Sequence, residues 1–180
     1  MRLRHKCTYQ QPGVYSSKAQ FCNLFILTDT IFSPKPKNMN TNKFLVGGII
    51  GGVVNFLLGW VVWGMLLMNF MKDHTSTDAQ SIMRPEENMI WWSLIVANFA
   101  LGFLFAYILS KAGTKSAGAG AGIGAVVGLL SSVAFNLFNY TFMNFLDMTG
   151  MLVDMLASMV VTAIVCAVIG WFYGRGAKAA

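Results

Sequence analysis

Charge is what this sequence has least of. Asp, Glu, Lys and Arg make up 11% of its 180 residues, where a soluble domain carries about 25%. So few charges cannot cover a globule in water, and with 56% hydrophobic residues the remaining solvent is lipid. The two histidines, His5 and His74, lie far apart, and the three cysteines, Cys7, Cys22 and Cys166, include no CxxC. That excludes a disulfide framework and a zinc pattern. No Ser/His pair, His/Glu cluster or pair of carboxylates falls within an apolar run. Nucleophilic and metal-assisted hydrolysis therefore have no visible machinery. The chain is expected to be no enzyme and to hold no metal and no cofactor.

What is present is length in apolar runs. Crossing the hydrocarbon takes about 20 largely apolar residues as a helix. Four segments reach that length, over about 44–70, 89–110, 119–143 and 151–173. None alternates with period two, as a membrane barrel strand would. Helices satisfy their own backbone polar groups where there is no water. The expected fold is all-α, with four transmembrane helices in an antiparallel bundle and short connections favouring packing between successive spans.

The charges that exist sit between the spans. A net charge of +6 can mean nucleic acid or an anionic surface. Here the placement points to the bilayer and gives no reason to expect nucleic acid. Residues before Phe44 include Arg2, Arg4, Lys6, Lys18, Lys35, Lys37 and Lys43 against Asp29 alone. The loop after span one has Lys72 and Arg84, the loop after span two has Lys111 and Lys115, and the end of the chain has Arg175 and Lys178. Eleven of the thirteen basic residues fall on the side shared by both termini. Positive residues mark the cytosolic face, so both ends are expected inside. Trp91 and Trp92, Tyr107, and Trp171 with Tyr173 lie at span ends, where amphipathic rings anchor at headgroup depth.

Residues 1–43 differ from the rest and read as a basic, disordered segment, and 175–180 as a short basic tail. MRLRHK followed by FCNLFILTDTIF superficially resembles a signal peptide, but Asn23 and Asp29 interrupt the apolar stretch and no small-residue cleavage site follows. Pro34 and Pro36 then break any helix. A second plausible start lies at Met39, which makes residues 1–38 a candidate upstream over-extension. A basic arm against anionic lipid is the alternative.

Within the spans, polar residues are few enough to weigh one by one. Residues 55–60 read NFLLGW and 98–103 read NFALGF. Chance explains this match of two Phe/Leu/Gly-rich helices at least as well as duplication. Asn55 and Asn98 both fall near mid-membrane on oppositely directed helices. An amide in hydrocarbon needs a partner, and such interhelical bonds contribute about 0.6–2 kcal/mol. The two are expected at the interface of spans one and two, bonded to each other or to another helix. Asn136, Asn139 and Tyr140 share one face of span three, a stripe that serves either helix packing or an aqueous path. Asp154 is the one acid inside a span. If its helix begins near Met151, it sits in the first turn, where a carboxylate complements the helix dipole. No basic residue lies at its depth.

Glycines step every fourth residue: Gly48 and Gly52 in span one, Gly120, Gly124 and Gly128 in span three. Small residues at that spacing let helix backbones approach closely. A phosphate-cradling loop is excluded, because no strand precedes these glycines and no Lys-Ser/Thr follows. Met148, Met151, Met155 and Met159 form a stripe whose thioethers suit Cu(I), though methionine is also common apolar filler.

Gly59, Trp60 and Trp63, the glycine-stepped third span and the closing GWFYG together resemble a family of small four-span bacterial membrane proteins of unknown function. The resemblance covers about 45–174. It implies a bacterial inner-membrane location and a fold, and no activity. The expected role is a non-enzymatic protein acting through helix packing, with the lipid bilayer, a second copy or another membrane protein as partner. The alternative is a small transporter or channel lined by Asn55, Asn98, Asn136 and Asn139.

Overall fold

The long apolar runs become helices, and the short polar stretches between them hold the caps. A computed structural model describes residues 41–175. Residues 1–40 of the basic N-terminal segment, the Met39 start and the tail beyond Arg175 lie outside the described residues, whereas residues 41–43, expected in that disordered segment, are helical. In chain order the elements are α1 (Thr41–Val61), a π-helical turn (Val62–Leu66), α2 (Met68–Asp73) and α3 (Thr77–Ile82). A 3-10 turn (Glu86–Asn88) leads to α4 (Trp91–Lys111), α5 (Ala117–Phe142) and α6 (Met148–Arg175). Among the described residues the only β pairing is an isolated bridge between Thr75 and Leu146. Four helices are long and apolar enough to cross a membrane, so this is a multi-pass membrane protein.

The span boundaries differ from expectation at two informative places. Span one was expected to run to residue 70, but the continuous helix stops at Leu66. The Leu67 N–H reaches back to the Val62 carbonyl at 2.8 Å, a π-type bond, and Leu67 then leaves the helix with φ −101° and ψ −1°. Span four was expected from Met151 and begins a turn earlier, at Met148. Asp147 explains this. Its Oδ1 accepts from the Gly150 N–H at 2.7 Å and its carbonyl accepts from Met151 N–H at 3.0 Å, which is N-cap geometry. Ser116 caps α5 in the same way, accepting from Ala119 N–H at 3.3 Å. Arg175, expected in the tail, ends α6 and lies over the Trp171 ring at 3.5 Å.

Packing does not simply follow chain order. α1 packs along α4, α5 along α6, and α1 also packs on α6, whereas the consecutive helices α4 and α5 scarcely touch. Glycine placement gives the reason. A Cβ on Gly102 of α4 would fall on the Gly52 backbone nitrogen and 2.6 Å from the Gly48 carbonyl. On α1, Gly48 and Gly52 face Phe103 and Phe99 of α4, while Gly47 and Gly51 face Tyr173 and Ile169 of α6. Gly120, Gly124 and Gly128 of α5 lie against the backbone of α6 at Cys166, Thr162 and Ser158. Without a hydrophobic drive inside lipid, such close contact supplies the dispersion that holds helices together. The core that results is Phe105, Leu109, Val161, Val165, Cys166, Ile169 and Tyr173.

Candidate intramembrane polar interface

Two polar clusters lie inside the helical bundle. The first joins α1 to α4: Asn55 Nδ2 donates to Asn98 Oδ1 at 2.7 Å. Asn98 Nδ2 in turn donates to the Leu94 carbonyl, one turn back, at 2.8 Å. That second bond fixes which end of the Asn98 amide faces Asn55, because its nitrogen is already committed to a carbonyl.

The second cluster joins three elements around Asp154. Trp63, in the π turn, donates from Nε1 to Asp154 Oδ1 at 2.8 Å. Asn136 of α5 donates from Nδ2 to Asp154 Oδ2 at 2.8 Å and to the Ser132 carbonyl at 3.0 Å. Ser132 Oγ bonds the Leu129 carbonyl at 3.0 Å and approaches the Met155 carbonyl of α6 at 3.5 Å. An indole N–H can only donate, so Asp154 Oδ1 accepts that bond, and the Asn136 amide turns its nitrogen to two oxygens, Asp154 Oδ2 and the Ser132 carbonyl. Each carboxylate oxygen meets one neutral donor, and no cation of the described chain is bonded to either.

This corrects the first-turn reading of Asp154. The helix starts at Met148, no acid lies in its first turn, and Asp154 meets side chains of two other elements instead. The residue at the helix start is Asp147, whose position just before Met148 is a cap signal visible in the sequence. Trp63 was the member of the cluster that sequence reasoning missed. The π turn sets the direction of its ring, and nothing in VWGML marks a π turn.

The four asparagines do not form one line. Asn55 and Trp63 are eight residues apart on the same span, about 12 Å at helical rise, so the two clusters occupy different depths. Asn139 donates to the Phe135 carbonyl of its own helix at 3.0 Å. With Asn136, Tyr140, Phe145, Leu146 and Met151 it borders a cavity of about 10 Å³, room for about one water. A larger, apolar groove of about 300 Å³ runs between the end of α1 and α6, lined by Val62, Leu67, Val153, Leu156, Ala157, Val160 and Val161. Of the methionine stripe, Met151 and Met155 are buried and Met148 is exposed. Among the described residues no three His, Cys, Asp or Glu side chains gather to hold a metal.

Above the second cluster, two loops are tied together. His74 Nδ1 and Asp147 Oδ2 are 2.7 Å apart, Asp147 N–H donates to the His74 carbonyl at 3.0 Å, and Ser76 N–H donates to the Phe145 carbonyl at 3.1 Å. Ser76 Oγ also donates to the Asn144 carbonyl. The Gly150 N–H, followed by the His74 side chain, holds the Asp147 carboxyl below its ordinary value of 3.8.

No family model, curated protein or solved structure matches this chain.

Proposed function

We propose that this chain is a non-enzymatic integral membrane protein that acts through helix packing, as an oligomer or an accessory subunit. The observation that carries the reading is how its intramembrane polar groups are used. Asn55 is bonded to Asn98, and Asp154 to Trp63 and Asn136, so each cluster ties helices together. Meanwhile at most 33% of the apolar stretch of any span is buried within the chain, leaving broad apolar faces for lipid or another helix. A bacterial inner-membrane location follows from the resemblance carried by Gly59, Trp60, Trp63 and the closing GWFYG. Cytosolic termini follow from charge: Lys43, Lys111, Lys115 and Arg175 share one end of the bundle, while Lys72 and Arg84 sit among acids at the other.

The competing reading is a small transporter or channel using Asn55, Asn98, Asn136 and Asn139. An acid within a span, Asp154, is the feature that favours it. Photo-crosslinking in native membranes from lipid-facing positions such as Phe135 and Leu156, run beside ion-flux assays in vesicles, separates the two. Discrete crosslinks to a protein from one face, with no flux, are expected. Flux that Asn136→Ala or Asp154→Asn abolishes, with no crosslink from any face, would overturn the packing reading.

A further inference from the structure

We infer that the bundle end shared by α4, α5 and α6 binds the headgroup of an anionic phospholipid through Lys111, Lys115 and Arg175. The inference goes beyond the packing reading and does not rest on it.

Charge is the first argument. α4 ends at Lys111, α5 begins just after Lys115, and α6 ends at Arg175, so the three cations share one end of the bundle. All three are exposed. Every acid among the described residues lies in the opposite loops or in the opposite half of α6. The residues outside the description bring one acid, Asp29, against seven Lys and Arg, so their balance is basic as well. An anion is the complement of such a surface.

Depth is the second argument, and it selects a lipid. Lys111 Nζ lies over the Tyr107 ring, 5.5 Å from its centroid, and Arg175 Cζ lies over the Trp171 ring at 3.5 Å. Both rings are exposed, and amphipathic rings at span ends sit at headgroup depth. Each ring therefore holds its cation at the level of the lipid phosphates. The connection between α4 and α5 is pressed onto α6. A Cβ on Gly174 would fall on the Lys115 carbonyl, and one on Gly170 would stand 2.6 Å from the Ser116 carbonyl. Lys115 thus sits beside the residue that precedes Arg175. Next to it Ala117, Gly118 and Ala119 are exposed, and nothing lies within 4 Å of a Cβ on Gly118. A headgroup has room there. Lys and Arg donors meet phosphate oxygens in charge-assisted hydrogen bonds, and basic groups at this depth recognise anionic lipid.

The test uses the full chain in phosphatidylcholine vesicles carrying a trace of spin-labelled phosphatidylglycerol or spin-labelled phosphatidylcholine. The motionally restricted fraction of each label reads its association with the protein. Phosphatidylglycerol is expected to be selected about fivefold or more, the effect of one basic residue on an anionic surface. Lys111→Gln, Lys115→Gln and Arg175→Gln combined should bring the two labels close to parity. Lys72→Gln with Arg84→Gln, at the opposite end, should leave the selection unchanged, with circular dichroism showing that both variants stay helical. Equal association of the two labels with the unaltered protein would overturn the inference, and that comparison needs no variant to fold. Selection surviving the triple variant would also overturn it and assign the attraction to other basic residues. Inorganic phosphate, compared with chloride at equal ionic strength, should not displace the lipid. Displacement would make a soluble anion the ligand and remove the lipid from the account.

Discussion

The hexapeptides NFLLGW and NFALGF occupy equivalent places on antiparallel helices, yet only their asparagines do equivalent things. Asn55 and Asn98 meet each other. Five positions from one end of each hexapeptide the glycines part company. Nothing lies within 4 Å of where a Cβ on Gly59 would stand, whereas Gly102 abuts the backbone of Gly48 and Gly52. The final aromatics differ as well. Trp60 is 59% exposed toward lipid, and Phe103 covers Gly48 and lies tilted at 51° to the Phe44 ring, with centroids 5.8 Å apart. Identical letters thus carry different energetic weight, and what sets the weight is the surface each helix turns toward its neighbour.

That contrast can be broken experimentally. The largest effect is expected at the glycines. Gly102→Leu should push α1 from α4 and cost about 3 kcal/mol or more, beyond ordinary overpacking of 1–3 kcal/mol. Gly59→Ala should be neutral or stabilise by up to about 1 kcal/mol through its better helix propensity. Reversible unfolding in mixed detergent micelles, followed by circular dichroism, measures both. Equal effects at the two sites would mean that the packed faces have been misassigned.

Next in size comes Asp154→Ala. It leaves the Trp63 and Asn136 N–H donors without their acceptor and should destabilise by about 1–3 kcal/mol, more than Asn139→Ala, whose amide bonds only its own helix. Thermal inactivation of monodisperse elution ranks the pair. Asn55→Ala and Asn98→Ala should each cost about 0.6–2 kcal/mol. The double variant should cost clearly less than the two single costs combined, since each amide loses the same bond. An additive result would sever the pair.

The smallest effect belongs to the loop tie. Asp147 has its carboxyl lowered, so its contribution is fully present above the ordinary value of 3.8 and fades as pH falls below that through the lowered value. Asp147→Asn should therefore flatten the acid limb of the stability curve below about pH 4 and change little at neutral pH. Unfolding midpoints measured across acid pH check this, and an unchanged acid limb would remove Asp147 from the account.

Much of the architecture was legible from residues alone. Apolar length located four spans to within a few residues, and four-residue glycine steps marked which faces approach. The Asn55–Asn98 register followed from helical rise, because two runs of known direction place their polar residues at calculable depths. The end of span one was not legible, because a π turn in VWGML has no proline or glycine pair to announce it. The scarcity of contact between α4 and α5 was equally hidden. A short connection keeps helix ends together but leaves the choice of neighbour to the fit of their faces.

Composition by itself determined that this chain dissolves in lipid as helices, since backbone polar groups without water must pair within each span. Only the tertiary structure decided what Asp154 faces. A carboxylate's partners depend on the rotation of three separate elements about their axes, and that rotation is set by which glycines let which backbones touch.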